Sequence, residues 1–381
     1  MTFFLTAFSF FTVFYALLMV AFAWGFRKVV RTYHPRHVPD TEKPFATVVI
    51  AARNESDNIL LCLHRILENH YPKNRFEVIV VNDDSSDQTA AIVDELCKEH
   101  ANLRLLHMPE NAIRTRAHKK KAIEKGVLKA KGEIILTTDA DCLVPKHWIE
   151  TMTANFEAHT AFVSGPVAFR HKYRFFQDMQ ALEFLGLVAV GAGAIGLNRP
   201  NLANGANVAY RKSVFLGIKG FDGIDHLTSG DDELLMQKIA ATGVWKVRFC
   251  PSPAALVRTD PVATLSDLIQ QRKRWASKGA LYPNKAYVAT IVSIYLFYLF
   301  YLLTAVSLLW HPISIWFLIS ALGLKVMAEG ALLFQATWQW RQRRLLAYFL
   351  PEQLLHIPYV VYIGLVSQFG GYQWKGRKIQ R

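Results

Sequence analysis

The chain has 381 residues, 52% of them hydrophobic, with a formal net charge of +14 and a mean hydropathy of +0.15. That length holds one or two domains with full cores, and the positive mean hydropathy implies that some of the apolar surface faces lipid. Cys62, Cys97, Cys142 and Cys250 show no paired spacing, which argues against a disulfide framework and a zinc finger, and many Lys and Arg flank apolar spans, so the charge points to anionic headgroups and not to nucleic acid.

Residues 1–27 are expected to form an N-terminal membrane anchor: nothing between Thr2 and Phe26 is charged, enough helix to cross a hydrocarbon core of about 30 Å. A cleaved signal peptide is disfavoured, because no basic segment precedes the apolar run and "FAWGF" lacks small residues at a cleavage position. The basic "RKVVRTYHPRH" follows the span, so the positive-inside rule places the N-terminus outside and the next segment in the cytoplasm.

Residues 44–280 read as a cytoplasmic α/β domain. Apolar runs of strand length ("ATVVIAA", "FEVIVV", "LRLLHM", "EIILTT", "AFVSGPVAF") alternate with amphipathic stretches ("NILLCLHRILENH", "TAAIVDELCKEH", "HKKKAIEKGVLKAKG", "KHWIETMTANF"). This rhythm predicts a mostly parallel sheet covered by helices on both faces.

Residues 285–370 are expected to contain about three membrane segments. "AYVATIVSIYLFYLFYLLTAVSLLW" is uncharged; "ISIWFLISALGLKVMAEGALLF" carries Lys325 and Glu329 at i, i+4, a spacing that pairs them on one helix face. The last, "LLAYFLPEQLLHIPYVVYIGLVSQFG", is broken by Pro351, Glu352, His356 and Pro358. The "WRQRR" loop and the basic tail 371–381 should share the cytoplasmic side, which one crossing between them forbids, so a re-entrant or interfacial hairpin is favoured there over a full span.

In open parallel sheets, ligands sit beyond the carboxyl ends of the strands. Arg53, Asn54 and Glu55 follow the first strand, Asn82, Asp83 and Asp84 the second, and Asp139 and Asp141 the fourth. Acid from three strand ends, without a Gly-rich phosphate loop after the first, suits a metal-chelated nucleoside diphosphate better than a dinucleotide. The literal G-x-G-x-x-G of "GAGAIG", at Gly191, Gly193 and Gly196, runs into Asn-Arg-Pro instead of opening a helix, so close packing or a membrane-surface element is its better reading.

In this order, "VVIAARNES", "VVNDDSSDQT", "AHKKKAIEKG", "TTDADC", "GANVAY", "HLTSGDDELL" and "QRKRW" resemble the motifs of family-two glycosyltransferases with a GT-A fold. The branch is the membrane-bound one that includes cellulose, chitin and hyaluronan synthases and ceramide glucosyltransferase, and the resemblance covers about Thr47 to Trp275. Ala51 stands where that family usually has Pro, Asn82 replaces its first aspartate of the second motif, and His118 replaces a glycine.

The resemblance implies inverting transfer from a nucleotide-sugar donor, a UDP-sugar first, to an acceptor at the membrane. It assigns the donor nucleotide to Glu55, Asp83, Lys119 and Asp139, a divalent Mg2+ or Mn2+ to Asp141 with Asp139, and the general base to Asp232 beside Asp231. Gln271, Arg274 and Trp275 would serve the diphosphate and the acceptor. Blander roles are available: Asp84 and Asp87 suit a turn and a helix cap, and Asp231, Asp232 and Glu233 favour a helix N-terminus.

Single transfer to a lipid or lipid-linked acceptor is favoured over a processive polysaccharide synthase, since the C-terminal spans are few. A nucleotide-binding transporter or scaffold is the reading from another class, resting on the intramembrane Lys325, Glu329, Glu352 and His356.

Overall fold

The computed structural model describes residues 2–109, 117–227, 230–276, 282, 284–369, 371–374 and 377–379; the rest of the expected basic tail lies outside them. In chain order the elements begin α1 (Thr2–Thr32), β1 (Ala46–Ala52), α2 (Ile59–Leu67), β2 (Phe76–Asn82), α3 (Thr89–Glu99), β3 (Leu103–His107), α4 (His118–Lys129), β4 (Ile134–Thr137), α5 (Trp148–Thr153), β5 (Thr160–Ser164) and β6 (Val167–Phe169). They continue with α6 (Phe175–Gly196), β7 (Val208–Arg211), α7 (Lys212–Gly217), α8 (Glu233–Ala241), β8 (Lys246–Phe249), β9 (Val257–Thr259), α9 (Leu265–Ala276), α10 (Lys285–Ser307), α11 (Ser314–Gln339), α12 (Phe349–Val366), β10 (Tyr372–Trp374) and β11 (Arg377–Ile379).

The chain divides into two compact units. One takes Lys28–Arg170 and Ala194–Asp260; the other takes the chain up to Arg27, His171–Gly193 and everything from Pro261 on.

The first unit is built on a seven-stranded sheet in the order β3-β2-β1-β4-β7-β5-β8. Strands β3, β2, β1 and β4 are mutually parallel, as the apolar runs predicted, and β2 is buried along its whole length because helices cover both faces. Helix α2 shows the matching pattern: Ile59, Cys62, Leu63, Ile66 and Leu67 form one buried stripe. The sequence did not announce β7, which enters antiparallel to both β4 and β5. "AFVSGPVAF" is also not one strand; it breaks at Gly165-Pro166 into β5 and β6, and β6 pairs with β9 in a separate small sheet.

The second unit gathers the long apolar helices. Among the described residues, five stretches are long and apolar enough to cross a membrane: α1, α6, α10, α11 and Arg343–Val366. The fifth candidate beyond the expected four is α6, and its apolar window is 72% buried where the other windows are 17–33% buried. It also cannot be a single crossing, because β5 before it and β7 after it pair in one sheet. Gly193 of "GAGAIG" explains part of the packing: a Cβ there would lie 2.3 Å from the Phe22 carbonyl oxygen of α1. Pro358 lies inside α12, so the last apolar stretch is one helix and not a hairpin broken at its prolines. Pro351 sits in the first turn, where its missing N–H would have had no helical partner. Lys325 and Glu329 form the expected i, i+4 ion pair, at 2.9 Å.

Candidate functional site

Within the sheet unit, β2, β1 and β4 lie side by side and parallel, so their carboxyl ends share one edge, at the point where strand order reverses between β1 and β4. The loops there are latched together. Arg53 Nη1 donates to the carbonyls of Asp83 and Asp84, each at 2.7 Å, joining the end of β1 to the end of β2. Asn54 and Asp84 both adopt the left-handed backbone, with φ of 49° and 57°, which these two residue types tolerate better than most. Glu55 is buried; its N–H donates to Thr89 Oγ1 at 2.8 Å and its Oε2 accepts from Asn58 Nδ2 at 3.1 Å. Asp83 is buried too, with Oδ1 3.6 Å from Nδ1 of His118, the residue in place of the family glycine. Asp87 takes the blander role, accepting from the N–H groups of Ser56 and Thr89, each at 3.0 Å.

Lys119, in the first turn of α4, connects the two acidic motifs. Its Nζ lies 2.8 Å from Asp139 Oδ1, at the end of β4, and 3.1 Å from Asp231 Oδ2, before α8. Burial alone would depress the lysine, but Asp139 and Asp231, with Asp232 behind them, hold it well above its ordinary value. Burial likewise works to raise Asp231, and the Lys119 charge outweighs it, leaving that carboxyl below its ordinary value. Asp232 is the N-cap of α8: Oδ1 accepts from Glu233 N–H at 2.7 Å and Oδ2 from Gly205 N–H at 2.6 Å. Gly205 is in turn held to β4 by Thr137 Oγ1, which donates to its carbonyl at 3.2 Å. The "GANVAY" and "GDDELL" segments therefore meet at one point.

One ligand atom each from Asp139, Asp141 and Cys142 lies within 4.8 Å of the others. Asp141 reaches solvent on one side, yet partial burial and then the Asp139 charge raise its carboxyl above the ordinary value. Burial pushes the Cys142 thiol up, and that of Cys62, which donates to the Asp139 carbonyl at 3.6 Å, so both thiols stay protonated. The donor set offered is two carboxylates held close together at a repulsive cost. That fits a hard divalent cation such as Mg2+ or Mn2+, whose remaining positions go to water and phosphate.

Gln271, Arg274 and Trp275 lie on α9, in the unit of long helices. Arg272, inside the same "QRKRW", was not singled out by the sequence and is the buried member. It pairs with Glu183 at 2.7 Å, donates to Gln271 Oε1, and lies 4.2 Å over the Trp275 ring. Asn207 was also missed, although "GANVAY" contains it. Fully enclosed, it accepts from Trp148 Nε1 at 2.8 Å and donates to the carbonyls of Pro166 and Ala255 at 2.8 and 2.7 Å, fixing the turn that carries Gly205.

Comparison with known proteins gives two family matches: "Glycosyl transferase family 2" over residues 47–217, and "Glycosyl transferase family group 2" over residues 134–365. Glycosyltransferase AglE of Haloferax volcanii is 27% identical over 198 residues, 50% of this chain and 59% of that protein. Poly-beta-1,6-N-acetyl-D-glucosamine synthase of Staphylococcus aureus is 27% identical over 241 residues, 61% of this chain and 54% of that protein. The chain thus spans little more than half the length of these relatives. Among solved structures, the mannosyltransferase PcManGT from Pyrobaculum calidifontis, in complex with GDP-Man and Mn2+, superposes with a TM-score of 0.59 over 96% of this chain and 99% of that one, at 17% identity, a likeness of fold. The mostly parallel sheet with its flanking helices is of the GT-A type.

Proposed function

Because the chain belongs to glycosyl transferase family group 2 and is therefore a glycosyltransferase, we propose that it moves a sugar, with inversion, from a nucleoside-diphosphate donor to a lipid or lipid-linked acceptor at the cytoplasmic membrane face. The observation that carries this reading is the Lys119 bridge, which brings the Asp139 side of the metal motif and the Asp231-Asp232 pair into one cluster. A donor diphosphate and an attacking hydroxyl must meet in such a place.

In this reading Glu55, Asp83, Lys119 and Asp139 receive the donor nucleotide, a uridine in the first instance. Asp141, with Asp139, would hold Mg2+ or Mn2+, which when bound neutralises charge on the departing diphosphate. The presence of Mn2+ and GDP-Man with PcManGT supports a metal and a nucleotide sugar in this fold. Asp232 takes the proton of the acceptor hydroxyl as its oxygen attacks the anomeric carbon from the face opposite the leaving group. Its carboxylate is aimed by the Gly205 and Glu233 N–H groups, and Asp231 keeps Lys119 in place between donor and acceptor. Arg274 is assigned to the leaving diphosphate, with Gln271 beside it, and Trp275 to the acceptor. Helices α1, α10 and α11 are taken as crossings, which leaves the sheet unit and the "WRQRR" loop in the cytoplasm.

A processive polysaccharide synthase is the second reading, favoured by the likeness to poly-beta-1,6-N-acetyl-D-glucosamine synthase. Labelled nucleotide sugars supplied to membranes containing the protein decide between them. Label in the lipid extract is expected; label only in a high polymer overturns the lipid acceptor.

A further inference from the structure

Helix α4 begins with three consecutive residues that each reach a different part of the sheet unit. His118 faces Asp83 after β2, and Lys119 bridges Asp139 and Asp231. Successive side chains on a helix point about 100° apart, so Lys120 is turned away from the direction Lys119 takes. It is 1% exposed, and its Nζ donates to the carbonyl oxygens of Ile224 at 2.6 Å and Leu227 at 2.9 Å.

Those carbonyls belong to residues 218–227, a stretch between α7 and α8 that forms no helix or strand. Phe221, Ile224 and Leu227 are buried, and Asp222, Asp225 and His226 are exposed. The chain advances by turns: the Ile224 N–H donates to the Phe221 carbonyl at 3.0 Å and the Leu227 N–H to that of Ile224 at 3.3 Å. Turns leave carbonyls outside any ladder, and where the stretch is buried they need donors from elsewhere.

Two lysines supply them. Lys238 donates to the carbonyls of Gly220 and Asp222 at 2.9 and 2.7 Å. It sits on α8, the helix that Asp232 caps, so it ties the stretch only to the acidic pair's own helix. Lys120 ties it to α4, the helix whose Lys119 holds the metal motif. The chain from Leu227 to Asp231 is thus anchored at both ends by neighbouring residues of α4, and the Lys120 charge reaches Asp231 as well. An ammonium has donors only, and one this enclosed is costly unless the carbonyls stay on it.

We propose that Lys120 is a positioning residue for the transfer: through the Ile224 and Leu227 carbonyls it holds the segment before α8 in register with the donor side, so that Asp232 meets the acceptor hydroxyl. The proposal rests on the reading of Asp232 as the base. It differs from a merely structural lysine in a measurable way, because the damage from its loss is confined to one segment and one step.

The test compares Lys120→Met and Lys120→Gln with wild type, each as the full chain. Hydrogen exchange read by mass spectrometry should quicken about tenfold or more in peptides covering 218–227 of the Met variant and stay unchanged in β1, β2 and β4. Calorimetric binding of uridine diphosphate with Mn2+ should stay within about threefold. Turnover of labelled UDP-sugars in membranes containing the protein should show kcat lowered about tenfold to a hundredfold with the donor KM little changed, the effect of misplaced reacting groups. Lys120→Gln, which keeps one N–H donor group, should fall between the two. A folded Met variant with kcat within threefold of wild type overturns the proposal, as does exchange that quickens equally across the whole sheet. Failure of both variants to fold makes Lys120 a folding residue and overturns it too. Unchanged turnover in Asp232→Asn removes the base reading and with it the catalytic purpose of the tie, whereas unchanged exchange at 218–227 in Lys120→Met sinks the Lys120 proposal alone.

Discussion

Lys119 and Asp231 form an ion pair at 3.1 Å, with side-chain exposures of 23% and 9%, and the same ammonium holds Asp139. Removing the lysine leaves one nearly buried carboxylate without its partner. Lys119→Met is therefore expected to cost about 3 kcal/mol of stability at neutral pH, read by denaturant unfolding. It should also weaken uridine diphosphate binding by more than about tenfold, read by calorimetry.

The same pair fixes a pH window. The depressed Asp231 contributes stability that is present above the ordinary aspartate range and lost as pH falls through its lower folded value. The raised Lys119 contributes stability that is present below the ordinary lysine range and lost only as pH rises through its higher folded value. Between those limits the wild-type melting temperature should carry no step from this pair. A step near neutrality that Lys119→Met abolishes would contradict the assignment.

Asp232→Asn keeps one acceptor oxygen for the N-cap of α8 but cannot take a proton. Transfer should fall by about 10²- to 10⁴-fold, the usual weight of a general base. Metal-dependent donor binding should stay within about threefold and the melting temperature should drop only modestly, since an N-cap is worth about 1 kcal/mol in full. Unchanged turnover removes the base from Asp232.

How far these assignments could be read from the chain differs by element. The ends of β1, β2 and β4 were legible because buried parallel strands are continuous apolar runs and the acids follow directly. Strand β7 was not, because "VAYR" is too short to show a period. Helix α6 was missed for another reason: its polar residues cluster in its first half and its apolar ones are not gathered on one face, so it has no stripe to distinguish it, and its glycines read as punctuation until Phe22 is seen packed on Gly193. Arg272 and Asn207 matter through partners distant in sequence, Glu183 and Trp148, and nothing in their own neighbourhoods marks them.

Asp141→Ala removes one of two close carboxylates, so divalent stimulation of transfer should disappear. The wild type should also bind Mn2+ less tightly as pH falls, because protons compete at an Asp141 carboxyl raised above its ordinary value. Affinity is full above that value and lost below it. Manganese titrations across pH, by calorimetry, should slope for wild type and be flat and weak for the variant; persistent stimulation would place the metal elsewhere.

Gly205 is the narrowest point of the cluster. A Cβ there would lie 3.2 Å from Asp231 Oδ2, 3.2 Å from Lys119 Nζ and 3.3 Å from Asp232 Oδ2, so all three groups would have to yield together. The neighbours are side-chain ends and not backbone, which makes the shift small in stability, about 1 kcal/mol. It is large for chemistry that depends on aim: a displacement of a few tenths of an ångström separates Asp232 from the Gly205 N–H that orients it. Gly205→Ala should thus lower kcat by about tenfold or more while the melting temperature falls by only a few degrees. Steady-state kinetics beside a melting curve checks this, and a variant that loses stability but keeps kcat would show that the acidic pair needs no such cradle.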